Sequence, residues 1–350
     1  MKPILLLLPL RITSLSAPLS RRNAIGGSLA AAAAPGASTA AAPSAPIAYD
    51  DVVLDLPCGA KVPACVWLPS AGTDAPPARY KYRISAGRLV KTILRLPTPD
   101  AIARTFDLAA APGVKYTPGA TVPAGTPVIV VAHGFLGTRF DLSMFAEAIA
   151  RAGAVAIAPD FDENLAGSYA PDPDGGSSRD RIVVAALEHA KGRGATGAVG
   201  GLGHSAGAFT ALNVPNAKGA VAIAGFGRDT GVPFLAIASE GDGAVPLRFV
   251  RERFSKDVAP IDIGALPAAW PRRGVIAFSG ENAPCHVSFL APDVNDEMQN
   301  FLGPLLPVAR FLGIPVLDFD KYGLLLDADA TAETCMPAAT AFLTQYVIKG

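Results

Sequence analysis

Short uncharged runs alternate with helix-spaced apolar positions across the middle of the chain. Pro127-Val128-Ile129-Val130-Val131-Ala132 is apolar throughout and β-branched in the main, the pattern of a strand buried on both faces. Ala154–Ala158, Ala198–Leu202, Ala220–Ala224, Pro233–Ser239 and Gly274–Ser279 read as strands of the same sheet. Between them, Leu142–Ala152 gathers Met144, Phe145, Ala148 and Ile149 on one helical face, and Arg179–Ala190 does so with Ile182, Val183, Ala186 and Leu187. Helices are also expected after residue 205, over Leu247–Phe254 and at the end of the chain. This alternation predicts an α/β protein with a mostly parallel central sheet and helices on both faces. Functional groups in such sheets collect beyond the carboxyl ends of the strands.

The flanks read differently. Asp51–Leu56 and Val62–Leu68 predict an antiparallel N-terminal hairpin. Residues 70–126 are rich in Pro and Gly, with a basic and apolar patch from Tyr80 to Leu96 in which Leu89, Ile93 and Leu96 predict one surface helix. Residues 255–273, with Ile261, Ile263, Leu266 and Trp270, would form an apolar cap. Residues 291–332, including Phe301, Leu302 and Leu305, would form an apolar extension. Both could equally be core packing. Residues 48–350 are expected to make a single domain.

The N-terminal 47 residues do not have the pattern of a fold. Lys2 precedes an apolar run from Ile4 to Leu10 and then small residues, a short secretory-type signal. Ser20-Arg21-Arg22, a weakly apolar stretch and an alanine tract ending near Ala42-Pro43 then resemble a twin-arginine export signal. No acidic residue occurs before Asp50. Stacked signals of this kind resemble the leaders of thylakoid-lumen proteins, so the expected destination is a plastid. A single long secretory leader with a disordered linker is the alternative. Elsewhere no apolar run approaches the length of a membrane span.

Composition narrows the partners. With 30 acidic and 30 basic residues among 350, no basic excess exists to neutralise phosphates, so nucleic acid is not an expected partner. The four cysteines (Cys58, Cys65, Cys285 and Cys335) lack zinc-type spacing. In an oxidising compartment Cys58 could bridge Cys65, and Cys285 could bridge Cys335; four buried free thiols are the other reading.

The candidate chemistry centres on Gly203-His204-Ser205-Ala206-Gly207, which fits G-x-S-x-G. A sharp strand-to-helix turn would hold Ser205 in a strained conformation with Oγ exposed, and flanking glycines would let neighbouring backbone approach. An ordinary Gly-rich turn is the bland alternative. His133-Gly134-Phe135 closes an earlier strand, so the N–H groups of Phe135 and Ala206 could cradle an oxyanion while His133 supports the loop. Pro233–Ser239 ends in Glu240-Gly241-Asp242-Gly243; Asp242 is the expected acid, with Glu240 as the alternative. Of the four histidines, His189 falls in a surface helix, His133 in the oxyanion strand and His204 beside the nucleophile. Only His286 follows the acid, in the loop after the last strand.

Ser205, Asp242 and His286 stand in the order of the hydrolase fold. With His133-Gly134-Phe135, the Arg179-Asp180-Arg181 helix start and Gly203-His204-Ser205-Ala206-Gly207, residues 120–290 resemble the α/β-hydrolase superfamily. The nearest branch holds chlorophyllases, platelet-activating-factor acetylhydrolases, dienelactone hydrolases and cutinase-type polyesterases. The chain departs from the chlorophyllase spelling at Ala206 and Ala208, where that branch carries arginine and glycine. The resemblance implies an α/β-hydrolase fold and hydrolysis of a carboxylic ester through an acyl-enzyme, with no metal or organic cofactor. Lipidic or chlorophyll-type esters are the substrates it brings forward, with peripheral membrane contact as a corollary. A non-catalytic binding protein on the same fold and an acyltransferase using the same triad are the rival readings.

Overall fold

The computed structural model describes residues 45–70, 72, 74–94, 103–228, 230–254, 258–280, 283–305, 307 and 328–350. The expected hairpin is formed by β1 (Ile47–Asp55) and β2 (Lys61–Pro69), antiparallel along their whole length. In the second half of β1, Val52 and Leu54 are buried while Asp51, Val53 and Asp55 are exposed, the period-two pattern of a strand with one wet face. Residues 1–44, which carry most of the expected leader, lie outside the described residues.

Next come β3 (Arg79–Ser85), α1 (Ala86–Leu94) and β4 (Ala103–Ala109). The helix expected over Leu89 and Ile93 is α1; Leu96 lies outside the described residues. The antiparallel ribbon of β3 and β4 on either side of it was not anticipated from the sequence. Its signal is the run Arg79-Tyr80-Lys81-Tyr82-Arg83-Ile84, a period-two alternation in which Tyr80, Tyr82 and Ile84 are buried and which stands isolated in a Pro- and Gly-rich stretch. Tyr80 anchors the ribbon. Its hydroxyl donates to Glu147 Oε1 (2.6 Å), accepts from Trp67 Nε1 (2.8 Å), and its ring stacks on Phe140.

The main alternation runs β5 (Val114–Tyr116), β6 (Val128–Ala132), α2 (Ser143–Arg151), β7 (Val155–Pro159), α3 (Arg179–Gly192), β8 (Val199–His204), α4 (Ala206–Leu212), β9 (Ala217–Ile223), β10 (Phe234–Ser239), α5 (Leu247–Arg253), β11 (Ala259–Pro260), β12 (Arg273–Phe278), α6 (Pro292–Leu302) and α7 (Ala328–Leu343). Ten strands pair in the order β11-β12-β10-β9-β8-β6-β7-β2-β1-β5. All neighbours are parallel except β1 with β2 and β2 with β7. Every residue of β6, β7 and β10 is buried, each large aliphatic side chain contributing about 1.5–3 kcal/mol by leaving water. One sheet face is covered by α2, α6, α7 and the β3–β4 ribbon, the other by α3, α4 and α5. Because β7 lies to one side of β6 and β8 to the other, strand order reverses at β6, which opens a crevice at the carboxyl ends of β6 and β8.

The described part of the stretch expected as a cap, 258–273, runs along the sheet edge. Ala259 and Pro260 pair with β12, and Ile261 and Ile263 pack on the core. Trp270 is buried: its N–H donates to Gln345 Oε1 (2.7 Å), its carbonyl accepts from Gln345 Nε2 (2.9 Å) and Tyr346 Oη (2.7 Å), and its ring meets Phe342 edge-on. Of the expected extension, α6 and the first turn of α7 are described, while 306 and 308–327 are not.

Neither candidate disulfide is formed. All four cysteines are free. Cys58 sits exposed in the hairpin turn, whereas Cys65 lies opposite Asp51 and is buried, so the two do not face each other. Burial pushes the thiols of Cys65 and Cys335 upward, Cys335 to about 12, and Cys285 lies against Ser288 Oγ (3.1 Å). No helix among the described residues is long and apolar enough to cross a membrane.

Candidate active site

Ser205 links β8 to α4 with φ 56° and ψ −122°. A non-glycine residue at positive φ is strained, and the surroundings hold it there. The Ser205 N–H continues the strand ladder to the Ile223 carbonyl (2.9 Å) and its own carbonyl accepts from Ala208 N–H (2.9 Å). The motif's glycines explain how so sharp a turn fits. A Cβ on Gly203 would come within 2.0 Å of the Gly207 carbonyl oxygen, and a Cβ on Gly207 within 2.0 Å of the Ala132 carbonyl oxygen. Helix α4 therefore packs directly on the backbone of β6 and β8.

Asp242 and His286 come to this serine from the ends of β10 and β12. His286 Nε2 lies 2.9 Å from Ser205 Oγ, and His286 Nδ1 lies 2.9 Å from Asp242 Oδ2. The Asp242 side chain is fully buried, and its other oxygen accepts the N–H groups of Ala244 (2.9 Å) and Val245 (2.7 Å). With Nδ1–H donated to that carboxylate, Nε2 presents its lone pair to the serine hydroxyl. Glu240 is exposed and, among the described residues, accepts from Gly280 N–H (3.3 Å), so Asp242, not Glu240, meets the histidine.

The remaining histidines have other duties. His204 Nε2 donates to the His286 carbonyl (2.8 Å), holding the base's backbone, and burial followed by the neighbouring His286 keeps the His204 ring neutral well below its ordinary range. His133 accepts Phe161 N–H at Nε2 (2.8 Å) and so carries its proton on Nδ1, which donates to the Gly134 carbonyl (2.7 Å). Burial and then Arg179 push the His133 ring down to about 4. His189, on α3, has a buried Nε2 with no partner among the described residues.

Phe135 follows Gly134 in the loop after β6, and Ala206 follows Ser205 at the start of α4. Gly134 packs so closely that a Cβ on it would lie 3.0 Å from Ser205 Cβ. Ala206 is the first residue of α4, so its N–H has no partner within the helix. Phe135 N–H makes no turn or loop hydrogen bond among the described residues. Among those residues no group of three His, Cys, Asp or Glu side chains could hold a metal ion.

Sequence reading noted Arg179 only as part of a helix start. Its guanidinium bonds the Thr210 hydroxyl (3.1 Å) and the His133 carbonyl (3.1 Å), pairs with Glu163, and lies over the Phe161 ring. Asp160 ends the Ala158-Pro159-Asp160 run that closes β7. Buried at the end of β7, it accepts Arg139 N–H (2.8 Å), Arg139 Nη1 (2.7 Å) and Ser168 Oγ (2.6 Å). Arg179 reaches Thr210 and His133 across 31 and 46 residues and Asp160 reaches Arg139 across 21, so local motifs that contain these residues do not name what they hold.

No protein-family model matches the sequence, and no curated protein matches it. Solved structures do. A ferulic acid esterase from Streptomyces cinnamoneus is 17% identical, with a TM-score of 0.52 over 88% of this chain and 92% of that one. The chain has the α/β-hydrolase fold. Similar too are a Butyrivibrio proteoclasticus protein solved with ferulic acid bound (10% identity, TM-score 0.41, 73% and 98% of the two chains) and a Pyrococcus furiosus esterase (12%, 0.39, 73% and 92%). Phe135, Ser205, Asp242 and His286 all lie in the chain beyond the carboxyl ends of β6, β8, β10 and β12.

Proposed function

We propose that this protein is a serine hydrolase that cleaves a carboxylic ester through an acyl-enzyme. The observation that carries the reading is the unbroken hydrogen-bonded path from a buried carboxylate through one imidazole to a strained serine. His286 takes the Ser205 proton as Oγ attacks the ester carbonyl, and Asp242 fixes the imidazole tautomer and stabilises the imidazolium. The N–H groups of Phe135 and Ala206 hold the oxyanion. His286 then protonates the leaving alcohol, and water releases the acyl group by the same route in reverse.

Exposed aromatic residues close to the serine in the chain support one substrate class. Phe135 (51% exposed), Phe209 (44%) and Phe226 (39%) are bare aromatic side chains. Phe135 follows Gly134, Phe209 lies one helical turn beyond Ser205, and Phe226 follows Gly225, which packs on the Ser205 carbonyl. This rim supports an ester with a bulky apolar portion, of which prenyl, lipidic and chlorophyll-type esters are the members to test first. The paired N-terminal signals support action in a plastid, within the thylakoid lumen. Ser205→Ala should lower turnover by about 10⁴-fold or more while the protein stays folded, and a fluorophosphonate probe should label the unmutated chain at Ser205. An ester panel of short acyl, long acyl, feruloyl, phospholipid and chlorophyll substrates then ranks the substrate classes. Turnover unchanged in Ser205→Ala would overturn the reading.

A further inference from the structure

The peptide group joining Gly134 to Phe135 is trans, so its carbonyl and its N–H point in opposite directions within one plane. Whatever grips the Gly134 carbonyl therefore aims the Phe135 N–H. Three donors converge on that oxygen: His133 Nδ1 at 2.7 Å, Gly137 N–H at 3.1 Å and Arg179 Nη2 at 3.5 Å. The same Arg179 nitrogen holds the preceding carbonyl, that of His133, at 3.1 Å. Two consecutive peptide planes of the loop are thus fixed from behind by one guanidinium.

We propose that Arg179, held by Glu163, is the positioning residue of the oxyanion hole, setting the direction and strengthening the donor character of the Phe135 N–H. The proposal rests on the reading above that this N–H receives the oxyanion. Arg179 reaches Glu163 through Nε (2.9 Å) and Nη2, and Thr210 on the nucleophile helix through Nη1 (3.1 Å). It so locks the oxyanion loop to the helix that carries the other donor, Ala206. Its Cζ lies 4.1 Å from the Phe161 ring centroid, and Phe161 N–H in turn fixes the His133 tautomer. A lysine could not make these contacts together, because only the guanidinium fork offers several donors in one plane. A positive charge on an amide carbonyl also draws electron density from its N–H, which makes that N–H a better donor. Burial works against ionisation of Glu163, yet Arg179 and then His133 outweigh it and hold the carboxyl below the usual range, so the pair is intact at neutral pH.

The test compares Arg179→Ala, Arg179→Lys and Glu163→Gln with the unmutated chain on p-nitrophenyl acetate. It also measures affinity for a trifluoromethyl ketone, which adds to the serine as an oxyanion, and for the matching methyl ketone, which does not. For Arg179→Ala, kcat is expected to fall about 10²-fold, the size of losing one oxyanion donor, with KM changed little. Trifluoromethyl ketone affinity should fall by a similar factor and methyl ketone affinity should hold. Arg179→Lys should recover only part of the loss, and Glu163→Gln should lie between. Full kcat and full trifluoromethyl ketone affinity in folded variants, with only the melting temperature lowered, would overturn the proposal. Should Arg179→Ala fail to fold, the two near-isosteric variants decide the question alone. Fluorophosphonate labelling separates the two levels. A chain labelled at Ser205 whose variants keep full kcat loses this inference only, while a chain that is neither labelled nor active loses the parent reading as well.

Discussion

Two carboxylates two positions apart, Glu240 and Asp242, differ in what surrounds them. Asp242 is buried and accepts three N–H groups, while Glu240 is exposed. Asp242→Asn should cost about 10⁴-fold in kcat by removing the imidazole's orienting partner, and Glu240→Gln should leave steady-state rates within a few-fold. Parallel kinetics on the two variants check this, and the reverse ranking would reassign the acid. Asp141 offers a residue-scale test of stability. Burial raises its carboxyl to about 7, against the Thr138 hydroxyl bond (2.9 Å) that favours ionisation. An acid whose folded pKa is raised holds its proton longer in the folded state, so stability falls as pH rises from the ordinary carboxylate range through 7. The amount is on the order of 4 kcal/mol. His133 pulls the other way: with its folded pKa near 4, stability is lost as pH falls from about 6.5 to 4, by roughly 3 kcal/mol. The two contributions oppose each other in the unmutated protein. Asp141→Asn isolates one of them and should raise stability to urea at pH 8 well above any gain at pH 4.5.

At the scale of elements, the nucleophile turn depends on how closely α4 approaches β8. Gly203→Ala places a methyl group against the Gly207 carbonyl, where backbone rather than a yielding side chain stands in the way. Overpacking of this kind costs about 1–3 kcal/mol. The variant should therefore melt at lower temperature and lose activity more than stability, since Ser205 moves with the helix. The C-terminal helix and the sheet edge meet at Trp270, whose ring and backbone both engage residues 342–346. Trp270→Ala should cost about 3–5 kcal/mol in denaturant unfolding, without changing kcat in the protein that remains folded.

For the whole molecule, Pro43–Gly350 forms one compact unit and its first strand begins at Ile47. A chain starting at Pro43 is expected to fold with the melting temperature and esterase activity of the full-length protein. N-terminal sequencing of protein from its native source should find a start between Ala40 and Ile47. Chains beginning at Met1 or Lys2 would remove the support for a plastid destination.

The sequence by itself determined the strand and helix alternation of residues 127–279 and the hairpin before it, and it singled out Ser205 and His286, which the fold brings to 2.9 Å. These rest on local physics: apolar periodicity marks each element, Gly203 and Gly207 mark the turn, and a chain with four histidines leaves one after the acid. The β3–β4 ribbon was harder to see because its short alternating run stands alone in a Pro- and Gly-rich stretch, and its anchor on Glu147 lies 67 residues from Tyr80. Tertiary structure alone decided between Asp242 and Glu240, separated Cys58 from Cys65, and joined Arg179 to a loop 45 residues before it. Burial and long-range hydrogen bonding are properties of the folded arrangement, so periodicity and spacing carry no record of them.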